Sequence, residues 1–212
     1  MHREGIAPAE VGRQCTACRP FGPDALNSPG EQYAVVFDAG STGSRVHVFK
    51  FATSGSGPVL LSDTFEQLKP GLGDSGGSNE PARAAASLTP LIDKAIAAVP
   101  ASHHATTPIE VRATAGLRSL PGTTADHILE EVGKLLAASP FMQIMDGVSI
   151  MDGVDEGAYA WLTLNYLLGN TGKPMEQLVG AIDLGGGSVQ QAFAVTDKVA
   201  TGAPPGTRHQ SG

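Results

Sequence analysis

Two stretches of this chain share one layout: an apolar run, an Asp-x-Gly, a string of small residues, and a second strand-like run. The first spans 33–51 around Asp38-Ala39-Gly40-Ser41-Thr42-Gly43-Ser44-Arg45. The second spans 179–195 around Asp183-Leu184-Gly185-Gly186-Gly187-Ser188. Residues 33–37 are continuously apolar, the pattern of a strand buried on both faces. A strand–Asp–glycine loop–strand unit used twice predicts two related lobes that face each other and offer one loop each to a single ligand. Three consecutive glycines lose much backbone freedom on folding, so something must require bare backbone there, and a phosphate lying against N–H groups does.

The rest of the chain supports a globular α/β protein. Of its 212 residues 41% are hydrophobic, enough for one good core or two small lobes. The net charge of −7 disfavours a nucleic-acid polymer as partner. A small phosphorylated ligand needs no basic surface when backbone N–H groups and a divalent metal hold it. No apolar run approaches the roughly 20 residues of a membrane span. The first thirty residues lack the apolar stretch of a signal peptide. Cys15 and Cys18 form a C-x-x-C without the second pair that a zinc site needs.

Residues 1–31, rich in proline, read as a disordered tail, and 197–212 as a disordered end. Between them, 46–51 and 59–65 read as strands, and Pro81 opens a long helix to about 99. A strand follows at 109–113, a helix at 123–138 and a strand at 148–151. The helix at 156–168 ends at Gly169, a natural cap. On that helix Trp161, Leu164 and Leu168 follow helical spacing and read as core.

Several motifs are false leads. Gly71-Leu72-Gly73-Asp74-Ser75-Gly76 matches G-x-G-x-x-G but follows Lys69-Pro70 and runs into more loop. Its G-x-S-x-G reading has too little chain before it for a two-barrel protease. The segment at 38–45 fits either an ordinary tight hairpin or an anion-binding loop. In the second case Ser41, Thr42 and Ser44 add hydroxyls, Arg45 a cation, and Asp38 needs a metal between it and a phosphate. Glu156, at a helix N-terminus, is either favourable charge placement or a general base for water. Ser188 and Gln190 offer hydrogen bonds to a phosphate oxygen or a neighbouring water.

The segments DAGSTGSR from Asp38, KPGL from Lys69, ATAGLR from Ala113, DEGAYAWLTLNYLLG from Asp155 and DLGGGSVQ from Asp183 carry a resemblance. In that order they resemble the apyrases, the nucleoside triphosphate diphosphohydrolases, with the plant-type branch most similar. The resemblance covers about residues 32–195 and is specific, because five ordered segments agree. It implies an actin-like (ribonuclease H-like) two-lobed fold and hydrolysis of the terminal phosphates of nucleoside tri- and diphosphates such as ATP and ADP, with Mg²⁺ or Ca²⁺.

Position by position, the resemblance implies that Glu156 is the base and that Asp38 and Asp183 hold the hydrated metal. Ser188 and Gln190 would help place the attacking water. Thr114, the loop Gly40-Ser41-Thr42-Gly43-Ser44 and the loop Gly185-Gly186-Gly187-Ser188 would bind phosphate. Arg45 lies beside the first loop, and Arg118 matches a signature arginine. Asp155 stands where Gln or Glu is frequent, Arg112 where Gly is usual, and Gly73 where Ser is frequent. Family members continue well past DLGGGSVQ, so 32–150 is expected to be a nearly complete first lobe and 151–196 the start of a truncated second one. That expectation leaves strand 189–195 short of partners and the apolar residues of helix 156–168 exposed. Many family members are membrane-anchored or in the secretory pathway; this sequence leaves localisation open. A polyphosphate or guanosine-pentaphosphate phosphatase of the same superfamily would share the glycine loops, but ATAGLR and the GAYAW helix argue against it. A phosphate-binding isoform without activity is the alternative from another class.

Overall fold

The computed structural model describes residues 30–54, 57–74, 80–204 and 207. The expected tail up to residue 29, with Cys15 and Cys18, and the Gly/Ser stretch at 75–79 lie outside the described residues.

Strands β1 (Gly30–Ala39), β2 (Ser44–Ser54) and β3 (Gly57–Leu68) form an antiparallel meander. Strands β4 (Pro108–Ala113) and β5 (Met142–Ile150) add in parallel beside β1, giving the order β3-β2-β1-β4-β5. Tyr33, Val35, Phe37 and Ala39 alternate into the core, where they meet Val46, Val48, Ile109 and Val111. Ala34 and Val36 point to the opposite face and are only half-buried, so β1 is not buried on both faces as its apolar run predicts. Period-two alternation governs, and the hydrophobicity of Val36 does not by itself bring a second layer.

Helices α1 (Pro81–Ala86), α2 (Thr89–Ala98), α3 (Ala115–Arg118) and α4 (Thr124–Ala137) supply the covering layer. Leu88, Leu91, Ile92, Ile128, Val132 and Leu136 are its buried residues. The single helix expected from Pro81 is broken in two. Pro90, in the first turn of α2, has no N–H to continue a preceding helix and is tolerated only at a helix start. Strand β5 begins six residues before the expected 148, through an irregularity at Asp146, whose φ is 54°. Arg112 anchors it, donating to the Asp146 carbonyl at 3.1 Å, while its Nη2 donates to Glu110 at 2.8 Å.

Helix α5 (Gly153–Leu167) starts three residues before Glu156 because Asp152 caps it, accepting from the amides of Val154 at 2.7 Å and Asp155 at 2.8 Å. It stops as expected, with Gly169 at φ 64°. Its buried positions are Gly157 and Asn165, with half-buried Trp161 between them at helical spacing. That stripe faces strands β6 (Ala181–Leu184) and β7 (Val189–Ala192), an antiparallel pair separate from the main sheet. Gly157 allows the close approach, since a methyl there would lie 3.3 Å from Gln190 Cβ. Asn165 then ties the helix to the chain entering β6: its Nδ2 donates to the Trp161 and Val179 carbonyls, and its Oδ1 accepts from the Val179 amide at 3.0 Å.

Leu164 and Leu168 are therefore not core: they are 37% and 54% exposed, with Leu162, Leu167, Ile182, Leu184, Val189 and Phe193 also exposed. Among the described residues β6 and β7 pair only with each other, as the expectation of missing partners requires. Where a disordered end was expected from 197, a short helix α6 (Asp197–Ala200) forms instead, started by Thr196 in extended backbone. No helix among the described residues is long and apolar enough to cross a membrane.

Candidate active site

The parallel strands β1, β4 and β5 end at one edge, where an open sheet presents its loops to a ligand. Gly40 follows β1 there, Thr114 follows β4, and Met151 and Asp152 follow β5 into α5. The Thr114 amide donates to the Ala39 carbonyl at 3.2 Å and the Met151 amide to the Ala113 carbonyl at 2.8 Å, so the three exits stand side by side. A cleft of about 380 Å³ opens at this edge, closed on its far side by the β6–β7 turn.

Both glycine loops reach this one cleft. Gly40, Ser41, Thr42 and Arg45 line it from the first hairpin, and Gly185, Gly186, Gly187 and Ser188 from the second. The two touch: a methyl on Gly186 would lie 2.7 Å from Thr42 Cγ2, and one on Gly187 would lie 3.4 Å from Ser41 Cβ. Asp38 and Asp183 line the same space at matching places, Asp38 opposite Arg45 and Asp183 opposite Gln190 across their hairpins. Thr114 and Glu156 also line the wall. Two expected loop residues do not line it. Gly43 turns away, with its Cβ position 2.7 Å from the Leu68 carbonyl oxygen, and Ser44 is buried where β2 begins. A tight turn presents only one of its faces, so not every small residue of the loop meets the ligand.

Arg118 and Gln190 stand behind the wall and act on Glu156. Nη2 of Arg118 donates to Glu156 Oε2 at 2.9 Å and to Ser188 Oγ at 3.2 Å, and its Nη1 donates to the Met151 carbonyl. Nε2 of Gln190 donates to the same Glu156 Oε2 at 3.2 Å and to Ser188 Oγ at 2.9 Å. Glu156, Ser188, Arg118 and Gln190 thus form one closed network spanning α5, β7 and α3. Glu156 Oε2 is held twice, and its side chain is 15% exposed. Gln190 is buried, and its equally buried Oε1 has no hydrogen-bond partner among the described residues.

Two glycines that the sequence left without a role build the first loop. A methyl on Gly71 would fall 2.5 Å from the Gly40 carbonyl oxygen and 2.6 Å from that of Ser41. One on Gly116 would fall 2.8 Å from Ser41 Cα. The phosphate-type loop rests on these two bare backbones, and the only sequence signal was their place inside KPGL and ATAGLR. Ala115 and Leu184 also line the cleft without having been expected there.

The donor set suits a divalent cation held partly by a ligand. Asp38 and Asp183 are two carboxylates on one cleft, and that of Asp183 has no ion pair or hydrogen bond among the described residues. No cluster of three or more His, Cys, Asp or Glu is present among the described residues. A cation such as Mg²⁺ characteristically takes one or two protein carboxylates and completes its shell with water and phosphate oxygens.

The chain has relatives among known proteins. The chain is 45% identical over 197 residues to "Probable apyrase 1" of Oryza sativa subsp. japonica, covering 89% of this chain and 40% of that protein. It is 48% identical to a "Nucleoside-triphosphatase" of Pisum sativum over 81% of this chain and 38% of the relative, and 51% identical to a "Guanosine-diphosphatase" of Candida albicans over 79% and 28%. The chain therefore spans about 40% of the length of the first two of these relatives. Among solved structures, nucleoside triphosphate hydrolases from Neospora caninum superpose with a TM-score of 0.58 at 20% identity, over 82% of this chain and 40% of that one. An exopolyphosphatase from Cytophaga hutchinsonii gives 0.50 at 18% identity, over 76% and 46%. These likenesses place the chain in the actin-like fold. The model of the GDA1/CD39 (nucleoside phosphatase) family matches residues 25–205, and the chain belongs to that family.

Proposed function

We propose that this cleft belongs to a hydrolase that removes the terminal phosphate of nucleoside tri- and diphosphates, ATP and ADP among them, by attack of water. The observation that carries this is the Glu156 network between two glycine loops. Glu156 accepts the proton of the attacking water as general base. Two donors on Oε2 fix the carboxylate, and Oε1, without a donor among the described residues, is left to meet that water. Arg118 is a positioning residue, which acts through Glu156 and Ser188. Ser188 orients the water from the cleft wall, and Gln190, buried behind it, helps place that water by holding Ser188 Oγ and Glu156 Oε2.

The backbone N–H groups at 40–42 and 186–187, with the hydroxyls of Ser41, Thr42 and Thr114, hold the phosphate oxygens, while the Gly185 N–H closes its own turn on the Ser188 carbonyl. Asp38 and Asp183 would hold Mg²⁺ or Ca²⁺. When bound, the ion neutralises phosphate charge and polarises the phosphoryl group. In this proposal residues 32–150 are the first lobe and 151–196 belong to the second, so each lobe supplies one loop.

The test is phosphate release from ATP, ADP and GDP with Mg²⁺ or Ca²⁺, in unaltered protein and in Glu156→Gln. The substitution should lower the rate by about 10²-fold or more while nucleotide binding survives, because Gln keeps the size and removes the base. Equal rates would remove the base assignment. Nucleotide binding without phosphate release under either metal would make the site a binding module.

A further inference from the structure

Asp38 and Arg45 stand opposite each other on β1 and β2, and Nη1 of Arg45 donates to Asp38 Oδ2 at 2.8 Å. Both side chains keep contact with solvent, Arg45 at 30% and Asp38 at 43% exposure, and both line the cleft. Gly40 makes room for the guanidinium, since a methyl there would lie 3.0 Å from Nη1. Among the described lining residues Arg45 is the single Lys or Arg, in a cleft also lined by Asp38, Asp183 and Glu156. The neighbouring guanidinium of Arg118 is committed to Glu156, Ser188 and the Met151 carbonyl.

We infer that Arg45 is an exchangeable counter-ion: it pairs with Asp38, and passes to a phosphate oxygen when a divalent cation takes the Asp38 carboxylate. Cation and polyphosphate then bind as one unit, a linkage that rests on the cleft being a cation–polyphosphate site. A cation arriving alone at Asp38 must expel a guanidinium from its hydrogen-bonded partner. A phosphate chain arriving alone meets three carboxylates and a guanidinium that is already neutralised. When both arrive, each frees what the other needs. One charge-assisted N–H···O bond is given up and one is formed, so the exchange conserves hydrogen bonds. Linkage makes the effect reciprocal: the cation raises affinity for the phosphate by the factor by which the phosphate raises affinity for the cation.

The test uses Mn²⁺ and tripolyphosphate as probes on the full chain and its Arg45→Gln variant, with affinities from titration calorimetry. Loss of the guanidinium releases Asp38, so Arg45→Gln should bind Mn²⁺ alone about tenfold more tightly and the Mn²⁺–tripolyphosphate pair about tenfold more weakly, tenfold being about 1.4 kcal/mol. Opposite signs are the signature, because damage to the fold weakens both. Arg45→Lys, which keeps the charge, should fall between the two proteins. A second measurement needs no variant: in the unaltered chain the ¹⁵N resonances of the Arg45 guanidinium should move with Mg²⁺ and tripolyphosphate together and stay put with either alone. Affinities that change in the same direction in Arg45→Gln, or resonances unmoved by the pair, overturn the counter-ion while leaving the hydrolase proposal intact. Failure of the unaltered chain to bind the Mn²⁺–tripolyphosphate pair overturns both.

Discussion

Replacing Gly71 by alanine tests whether the first loop depends on a neighbour that contributes nothing but the absence of a side chain. The new methyl carbon would sit 2.5 Å from the Gly40 oxygen, 2.6 Å from the Ser41 oxygen and 2.8 Å from the Ser41 carbonyl carbon. Ordinary carbon contacts lie near 3.5 Å, so one segment must retreat by about 0.7–1 Å. All three atoms are backbone, and no rotamer change relieves the overlap. Overpacking of this kind destabilises by about 1–3 kcal/mol. For a chain of this size that lowers Tm by roughly 2–12 °C. The displaced atoms belong to Gly40 and Ser41 on the cleft wall, so affinity for Mg²⁺–ATP should fall with the Tm. Gly133→Ala is the control: its methyl meets nothing within 4 Å, and in the interior of α4 it should raise Tm slightly. Thermal melts and calorimetric titrations of the two variants decide the matter. If Gly71→Ala melts and binds as the unaltered protein does, the loop does not rest on that backbone and the steric reasoning is wrong.

Other substitutions separate stability from binding. Replacing the buried Asn165 by alanine strips the partners from the half-buried Val179 amide and carbonyl and should destabilise by about 1 kcal/mol or more, with faster hydrogen exchange at Val179. Arg118→Lys keeps the charge but cannot span Glu156, Ser188 and the Met151 carbonyl at once. Its kcat should drop by about 10²-fold with KM little changed, and an equal rise in KM would count against a positioning role. Gly186→Val drives a side chain toward Thr42 and should abolish polyphosphate binding while α1–α4 and the main sheet melt as before, which circular dichroism with calorimetry can check.

The loops, strands and the residues that meet in the cleft were legible because each rests on local chemistry. Asp-x-Gly after an apolar strand, an Asp cap before α5 and a glycine after it are short-range signals. What stayed hidden depends on what lies across from a residue. The spacing of Trp161, Leu164 and Leu168 is helical, but the hairpin docks along Gly157, Trp161 and Asn165, a stripe containing the smallest and one of the most polar residues of the helix. Hydrophobicity alone picks the wrong side. Gly43 and Ser44 look like their loop neighbours in sequence and differ only in which way the turn faces. Gly71 and Gly116 matter for a space they leave unfilled, which no pattern of side chains records. Pro90, the break between α1 and α2, was visible in the sequence and outweighed by the apolar periodicity around it.

The two hairpins place their acidic residue and the residue facing it at the same spacing, Asp38 with Arg45 and Asp183 with Gln190. A cleft made from two identical halves would accept an elongated anion in either direction. The facing residues remove that ambiguity. One half sets a guanidinium against its own carboxylate on the cleft wall, and the other turns a neutral amide inward to steady the carboxylate of Glu156. The loop residues between them differ as well, Ser41 and Thr42 in one half standing where the other has Gly186 and Gly187, so a ligand lying along the cleft would meet different chemistry at its two ends.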